Sequence, residues 1–526
     1  MRIPASLFLS ALLIGSNAAS GQDVGEAYDL SNTTVQGSAR SMGFGNALGS
    51  VGGDFSSLSV NPAGLGIYRN SEVSFTPSLR LNSANAVYAG SSAFDANSRF
   101  NINHIAFVFT SAPKGQRYER RDWKAVSFAF GMNRIADYNR NYTYSGYNNT
   151  SSASQAFESD ANMYPGDASS TDASNAPGYI GYQSYLINQN ANGQYYSIVP
   201  FSGGINQLKN VEERGRINEY VIALGGNYKE KLMLGITLGI PSIKYVRNSY
   251  YTETVAANNT TNPDNFNSFT YSQRVNITGV GINTKLGAIY KFSDMFRAGI
   301  AFHTPTWYAL NDVYDPGMTA NAQGYNVALL SGVDLVQNRF DYSVSTPWKG
   351  VMSATLMLNK RGFITADIEY VDHSSTRFRF PEGPDAATTS EYQQQENALN
   401  AEVKKTYKGT PNFRLGGEAR LGQSFMLRAG FGYYGDPYTE YGKANRLSYT
   451  AERIDLSLGM GFRFRHFFTD IAFVRSMYQR IEQPYSIVYN DGAGNNFVHS
   501  GSPATVPVAT IDQVLNNVAW TVGFKF

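Results

Sequence analysis

The sequence predicts an all-β protein, a closed antiparallel transmembrane barrel of about fourteen strands. Three observations carry that expectation. Apolar residues recur at every second position in segment after segment, the period of a strand with one greasy and one wet face. The segments are joined alternately by turns of a few residues and by long polar stretches, as in a membrane barrel. The wet face carries charges of both signs, among them Lys285, Lys349, Asp367, Glu369, Glu418 and Asp455. A sandwich core could not bury these at tolerable cost, whereas an aqueous lumen accepts them.

In chain order, the first element is the leader "MRIPASLFLSALLIGSNAASGQ". A positive Arg2, an apolar run from Leu7 to Ile14 and small residues from Ala18 to Gly21 have the layout of a secretory signal peptide spanning 1–21. The run is too short to anchor the chain in a bilayer. Composition narrows the class further. The 526 residues include no cysteine, so neither a disulfide framework nor a lipid-anchored cysteine is expected. Mean hydropathy is −0.31, but 14% of residues are aromatic and only 16% charged, which suits a β-rich exported chain. The net charge of +2 gives a nucleic-acid partner no electrostatic support.

Residues 22–70 form a second unit that does not alternate. Its core, "GSARSMGFGNALGSVGGDFSSLSVNPAGLGIY", is Gly- and Ser-rich yet too apolar for a disordered arm. The residues allow either a plug folded back into the lumen or a periplasmic extension.

The barrel is expected over 71–526. Alternation is clean in "SEVSFTPSLRL", "HIAFVFT" and "KAVSFAFGMN", and then in paired runs such as "EYVIALGGNY" with "KLMLGITLGI". The tight turns include Lys229–Lys231, Ser293–Asp294 and Asn359–Arg361. The long segments are expected near Ser145–Arg216, Asn248–Ser272, Asn311–Arg339, Ser374–Thr410 and Glu482–Thr510. Within one of them, "SEYQQQENALNAEVKKTYKG" reads as a helix capped by Ser390 and stopped at Gly409. The final strand, "NNVAWTVGFKF", is expected to close the barrel against the first, because an open edge in hydrocarbon leaves backbone groups unpaired. Trp307, Tyr308, Trp348 and Trp520 are expected in the interfacial aromatic belt.

Catalytic chemistry finds little support. No G-x-S-x-G elbow occurs, and no histidine pair has helical metal-binding spacing. The "DHSS" run at Asp372–Ser375 sets neighbouring side chains on opposite faces of a strand. No catalytic residue, metal or cofactor is expected.

The N-terminal unit resembles the hatch of the FadL-type family, outer-membrane transporters of long-chain fatty acids and other hydrophobic compounds. Gly37, Ala39, Arg40, Met42, Gly43, Ala47, Asp54 and Ser56 carry the likeness, together with Asn61, Pro62, Ala63, Gly64 and Leu65. "FHTPTWY", "TPWKG" and "ADIEYVDHS" extend it along the chain. The resemblance implies a hatch of short helices plugging a fourteen-stranded barrel in the outer membrane of a Gram-negative bacterium. It implies passive passage of a hydrophobic small molecule, with sideways exit at a kink in the third strand. Gly131, Asn133 and Arg134 are the candidates for that kink, although Gly131 suits an ordinary inward position too. Candidate ligand contacts in the lumen are Arg297, His303, Arg414 and Arg463; the alternative for such residues is an Arg–Glu lattice that stiffens the wall. The aromatic C-terminus at Phe526 resembles the signal read by the barrel-assembly machinery, so that machinery, outer-membrane lipid and the ligand are the expected partners of a monomer. A surface receptor or structural barrel without transport, and a porin for polar solutes, are the competing functions.

Overall fold

The computed structural model describes residues 24–170, 176–359, 361–445, 448–490, 496–498 and 506–526, so the leader at 1–21 lies outside them. Nineteen strand segments form one antiparallel sheet. Four strands are each interrupted once and one segment is an added rim hairpin, Tyr325–Leu329, which leaves fourteen strands around the wall. They are β1 (Glu72–Tyr88), β2 (Ser91–Ser111), β3 (Trp123–Asp137, resumed by Arg140–Asn148), β4 (Ile205–Tyr228), β5 (Leu232–Val255), β6 (Ser268–Lys291) and β7 (Phe296–His303, resumed by Trp307–Ala322). The second half comprises β8 (Asn338–Ser345, then Lys349–Met357), β9 (Gly362–Asp372, then Arg377–Arg379), β10 (Gly409–Leu421), β11 (Phe425–Tyr434), β12 (Ser448–Arg463), β13 (Phe467–Glu482) and β14 (Ala509–Lys525).

The barrel closes where the terminal alternation required. β14 pairs with β1 from Glu72↔Lys525 to Val87↔Thr510, and Ser71 and Phe526 exchange backbone hydrogen bonds beyond them at 3.1 and 3.0 Å. Outward positions are apolar and exposed: Leu79, Phe128, Leu224, Ile236, Leu415 and Trp520 are examples. Inward positions are small or polar and buried. In lipid this inversion of the usual pattern is the stable one, because each backbone group is satisfied within the sheet while the apolar face meets acyl chains.

Several expected boundaries move. The predicted loops at Asn248–Ser272 and Asn311–Arg339 are largely strand, since β5 runs on to Val255, β6 begins at Ser268 and β7 continues to Ala322. β1 and β2 likewise run on into a tight hairpin at Ala89–Gly90, where both residues have positive φ. Above the membrane the outer face of a strand meets water while the inner face packs on the loops, as at Tyr251, Phe269 and Met318, so alternation fades although pairing continues. The loop helix is Ala386–Thr406, beginning five residues earlier than a Ser390 cap implies. Its N-cap is Asp385, whose side chain accepts from the Thr388 N–H at 2.8 Å, and not Ser390. Tyr308 is buried, facing inward, whereas Trp307, Trp348 and Trp520 are exposed on the outer wall.

The N-terminal residues fold as four short helices, Val24–Ser31, Ala39–Gly43, Phe55–Ser59 and Pro62–Ile67. They pack inside the barrel. Leu30, Phe44 and Leu48 share an apolar cluster with wall residues Ile217, Leu310 and Val351 and with Leu399 and Val403 of the loop helix. No helix among the described residues is long and apolar enough to cross a membrane; the chain crosses by strands.

Candidate functional site

The lumen is filled by backbone set against glycine. An added Cβ at Gly235 of β5 would fall far inside van der Waals contact of the Pro62 carbonyl, and one at Gly416 of β10 would meet the Phe44 carbonyl in the same way. Only glycine lets the N-terminal chain lie this close to the wall. The segment is also capped at each turn. Ser38, Asp54 and Asn61 are N-caps, accepting from the N–H groups of Ser41, Ser56 and Ala63.

Asn61, wholly buried, does more than cap. Its Nδ2 donates to the Gly49 carbonyl at 2.6 Å and reaches the wall carbonyls of Ala288 and Ile300, both at 3.3 Å. One side chain thus joins two turns of the segment to β6 and β7. Pro62 and Ala63 follow it against β5, and Gly64 packs on Gly52 and Ser57, where a larger residue would clash.

A chain of charges ties the segment to the other side of the wall. Arg40 Nη1 donates to the Gly53 carbonyl at 2.9 Å, lies 3.9 Å from Asp54 and sets its Nε 3.5 Å from Glu418. Glu418 pairs with Arg428 at 2.7 Å, Arg428 with Asp470 at 2.7 Å, and Asp470 with Arg463 at 2.9 Å. Arg463 therefore sits in this lattice near the periplasmic rim, away from the other three candidate contacts.

His303 and Arg414 do meet. They line one chamber of ≈ 50 Å³ with Glu219, Lys285, Lys349 and Glu369. His303 Nε2 bonds the Val60 carbonyl at 2.7 Å, and Arg414 lies 3.4 Å from Glu369 and 3.9 Å from Asp367. Lys285 pairs with Glu219. Lys349 donates to Thr33 Oγ1 at 2.7 Å and has no carboxylate at ion-pair distance among the described residues. Arg297 stands apart, with its Nη1 3.4 Å from the Val51 carbonyl.

The wall itself is interrupted at the third strand. β2 pairs with β3 only from His104↔Asn133 to Ser111↔Val126, so Ser91–Asn103 has no partner on that side. β3 then slips register against β4 between Arg134 and Ala136, stops at Asp137, and resumes at Arg140 on β4. The resumed part passes behind the β1–β2 hairpin, with Tyr142 and Tyr144 packed on Ala84, Ala86 and Tyr88. Gly131 lies just below, where a Cβ would press on the Ile105 carbonyl and Phe55. Asn133 joins His104 to Ser59, both at 3.0 Å.

Polar side chains latch this break. Asp137 accepts from Arg134 at 3.0 Å and Asn101 Nδ2 at 3.0 Å, with Arg80 at 3.6 Å. On the lumen side, the N–H groups of Thr34 and Gln36 donate to the carbonyls of Ile135 and Arg134 at 2.8 and 2.7 Å. A cavity of ≈ 130 Å³ opens behind, bounded by Ile135–Arg140, by Tyr28–Gln36 and by the far wall at Tyr434 and Leu515. Sequence reasoning missed Arg80, Asn101 and Asp137. The one available signal was Arg80, a charge at an inward position of an otherwise apolar-facing strand.

A family model for "Outer membrane protein transport protein (OMPP1/FadL/TodX)" matches residues 172–484. The chain belongs to this family. FadL/TodX-family proteins are outer-membrane β-barrels of Gram-negative bacteria that transport hydrophobic compounds. Among solved structures, a Pseudomonas aeruginosa FadL homologue is 13% identical with a TM-score of 0.50, covering 93% of this chain and 98% of its own. The toluene transporter TbuX of Ralstonia pickettii is 14% identical with a TM-score of 0.47, covering 93% and 98%. The toluene transporter TodX of Pseudomonas putida is 13% identical with a TM-score of 0.46, covering 93% and 99%. No curated protein matches the chain. The fourteen-stranded fold of this FadL/TodX-family barrel, with its N-terminal short helices, is the one expected from the alternation and the resemblance.

Proposed function

We propose that this barrel passes long-chain fatty acids by diffusion, from the extracellular mouth into the lumen and out sideways between β2 and β3. The observation that carries the exit is the cavity lying directly behind the interruption of β3 at Ile135–Arg140. At ≈ 130 Å³ it falls below the roughly 300–1,000 Å³ of a ligand-holding pocket, so passage requires the strap at Thr34–Gln36 to release Arg134 and Ile135. The acidic head group is supported by the second chamber. Lys349 there has no carboxylate at ion-pair distance among the described residues, Glu369 acting on it only from further off, and a fatty-acid carboxylate would supply one where a neutral hydrocarbon would not. In this reading Arg40, Asp54 and Asn61 to Gly64 hold the hatch, and Gly131, Asn133 and Arg134 form the hinge of the exit.

The test uses the cysteine-free chain. Asn101→Cys and Asp137→Cys place thiols on the two sides of the break, to be joined by a short bifunctional methanethiosulfonate. Oleate uptake is measured in cells lacking their own outer-membrane fatty-acid transporter, with the unjoined double variant as reference. Uptake by the reference that falls at least fivefold on joining and returns with reductant is the expected result. Undiminished uptake through the joined barrel would refute the sideways exit, and no uptake by the folded intact chain would refute fatty acid as the substrate.

A further inference from the structure

The turn between β2 and β3 is the one long connection on the periplasmic side, Ala112–Asp122, where the other turns on that side have three or four residues. It contains a short helix, Gln116–Arg120. It is fastened to its neighbours by Tyr118, which bonds Glu230, and by Glu230, which pairs with Arg69 at 2.9 Å. That anchoring leaves the cations pointing out. Lys114, Arg117, Arg120 and Arg121 are exposed, and none has an ion-pair partner among the described residues. The same holds around the rim for Lys231, Arg361, Arg420 and Arg465. Exposed rim carboxylates are few: Asp122 faces Lys229 at 3.7 Å and Asp294 faces Lys291 at 2.7 Å, which leaves Glu119.

The level of these charges is marked by aromatic side chains. Trp123, the first residue of β3, is exposed on the outer wall beside Tyr228, and Phe292, Phe464 and Phe526 are exposed at the same end of neighbouring strands. Outward aromatic rings of this kind sit at the height of lipid head groups. The cations stand immediately beyond them. At the opposite mouth, exposed Asp334, Glu382, Asp385 and Glu440 are mixed with Arg339, Arg377 and Lys404, so the small net charge of the whole chain hides a cationic collar at one end.

We propose that this collar seats the barrel on anionic phospholipid of the periplasmic leaflet, with the Lys114–Arg121 turn as its principal contact. Each cation held near an anionic surface adds attraction that fades within a Debye length, and guanidinium groups fork onto phosphate oxygens. The occupant is a lipid head group because the cations lie beside the lipid-facing wall and level with the aromatic belt, where a phosphodiester is the available anion.

The test is spin-label lipid selectivity of the full mature chain in phosphatidylcholine bilayers, with spin-labelled phosphatidylglycerol or phosphatidylcholine as probe. At low salt the intact barrel should favour phosphatidylglycerol about fivefold, and 0.5 M salt should roughly halve that preference. The fourfold variant Lys114→Gln, Arg117→Gln, Arg120→Gln, Arg121→Gln should fall to below twofold. The extracellular control Arg339→Gln, Arg377→Gln, Lys404→Gln should keep the full preference. Folding of each is checked by the heat-dependent gel shift of a closed barrel. No preference in the intact protein, a preference that survives the fourfold variant, or an equal loss in the control would each overturn the proposal.

Discussion

Replacing Asn61 by Ala should loosen the N-terminal segment without loosening the barrel. The carbonyls of Ala288 and Ile300 stay within the β6–β7 ladder, where the two residues are paired, so they lose little. The Gly49 carbonyl and the Ala63 N–H lose a buried partner each. A buried polar group left unsatisfied costs about 1–3 kcal/mol, and the Ala63 loss includes the N-cap of Pro62–Ile67. Together they lower the docking free energy by about 3 kcal/mol, which raises the undocked population about 10²-fold. Hydrogen exchange followed by mass spectrometry separates the two bodies. Peptides over Ala47–Gly66 should exchange about 10²-fold faster in the variant, while those in β5, β6 and β7 hold their rates. Asn61→Asp retains the cap acceptor but turns a carboxylate oxygen onto the buried Gly49, Ala288 and Ile300 carbonyls, and should exchange at least as fast as Asn61→Ala. Exchange over Ala47–Gly66 that changes less than threefold in Asn61→Ala would refute the assignment of Asn61 as the pin.

Gly416→Ala, which sets a methyl against the Phe44 carbonyl, should undock the same segment from the opposite wall; exposure of Phe44–Leu48 to limited proteolysis reports it, and a protected segment would contradict the close-packing argument. Asp385→Ala should fray the first turn of the Ala386–Thr406 helix, visible as faster exchange over Ala386–Ser390. Ser390→Ala should change nothing there, and the reverse ranking would restore the expectation drawn from sequence.

Legibility followed the solvent. Where a strand crosses lipid, the two-residue alternation of "KLMLGITLGI" identifies both strand and face. Where the same β5 emerges, "NSYYTETV" is wet on its outer face and mixes Ser249, Tyr251 and Glu253 on a buried inner one, so it no longer distinguishes strand from loop, though β4 and β6 still pair with it to Thr254. The N-terminal unit was legible through its lack of alternation and the Asn61–Pro62–Ala63 triplet. The glycines that receive it were not, because Gly235 and Gly416 lie on different strands and share a role only after closure. Asp137 escaped for the same reason: its partners Arg80, Asn101 and Arg134 come from three strands, and no spacing along the chain brings them together.

The length of the central strands has a consequence for how the molecule meets its surroundings. β4 has 24 residues, yet its outward side chains form a continuous apolar run only from Tyr220 to Leu224 and give way to Asn218, Arg216, Arg214 and Glu212 above, with Leu208 an isolated apolar residue beyond them. At roughly 3.3 Å per residue and a tilt near 40°, the stretch Ile205–Asn218 rises about 35 Å beyond the apolar band, which is itself about 25 Å tall. The mouth is therefore a turret rather than a hole at the level of the bilayer. On the proposed function, a sparingly soluble ligand would enter this barrel from water well above the bilayer and descend inside protein to the level of the apolar band.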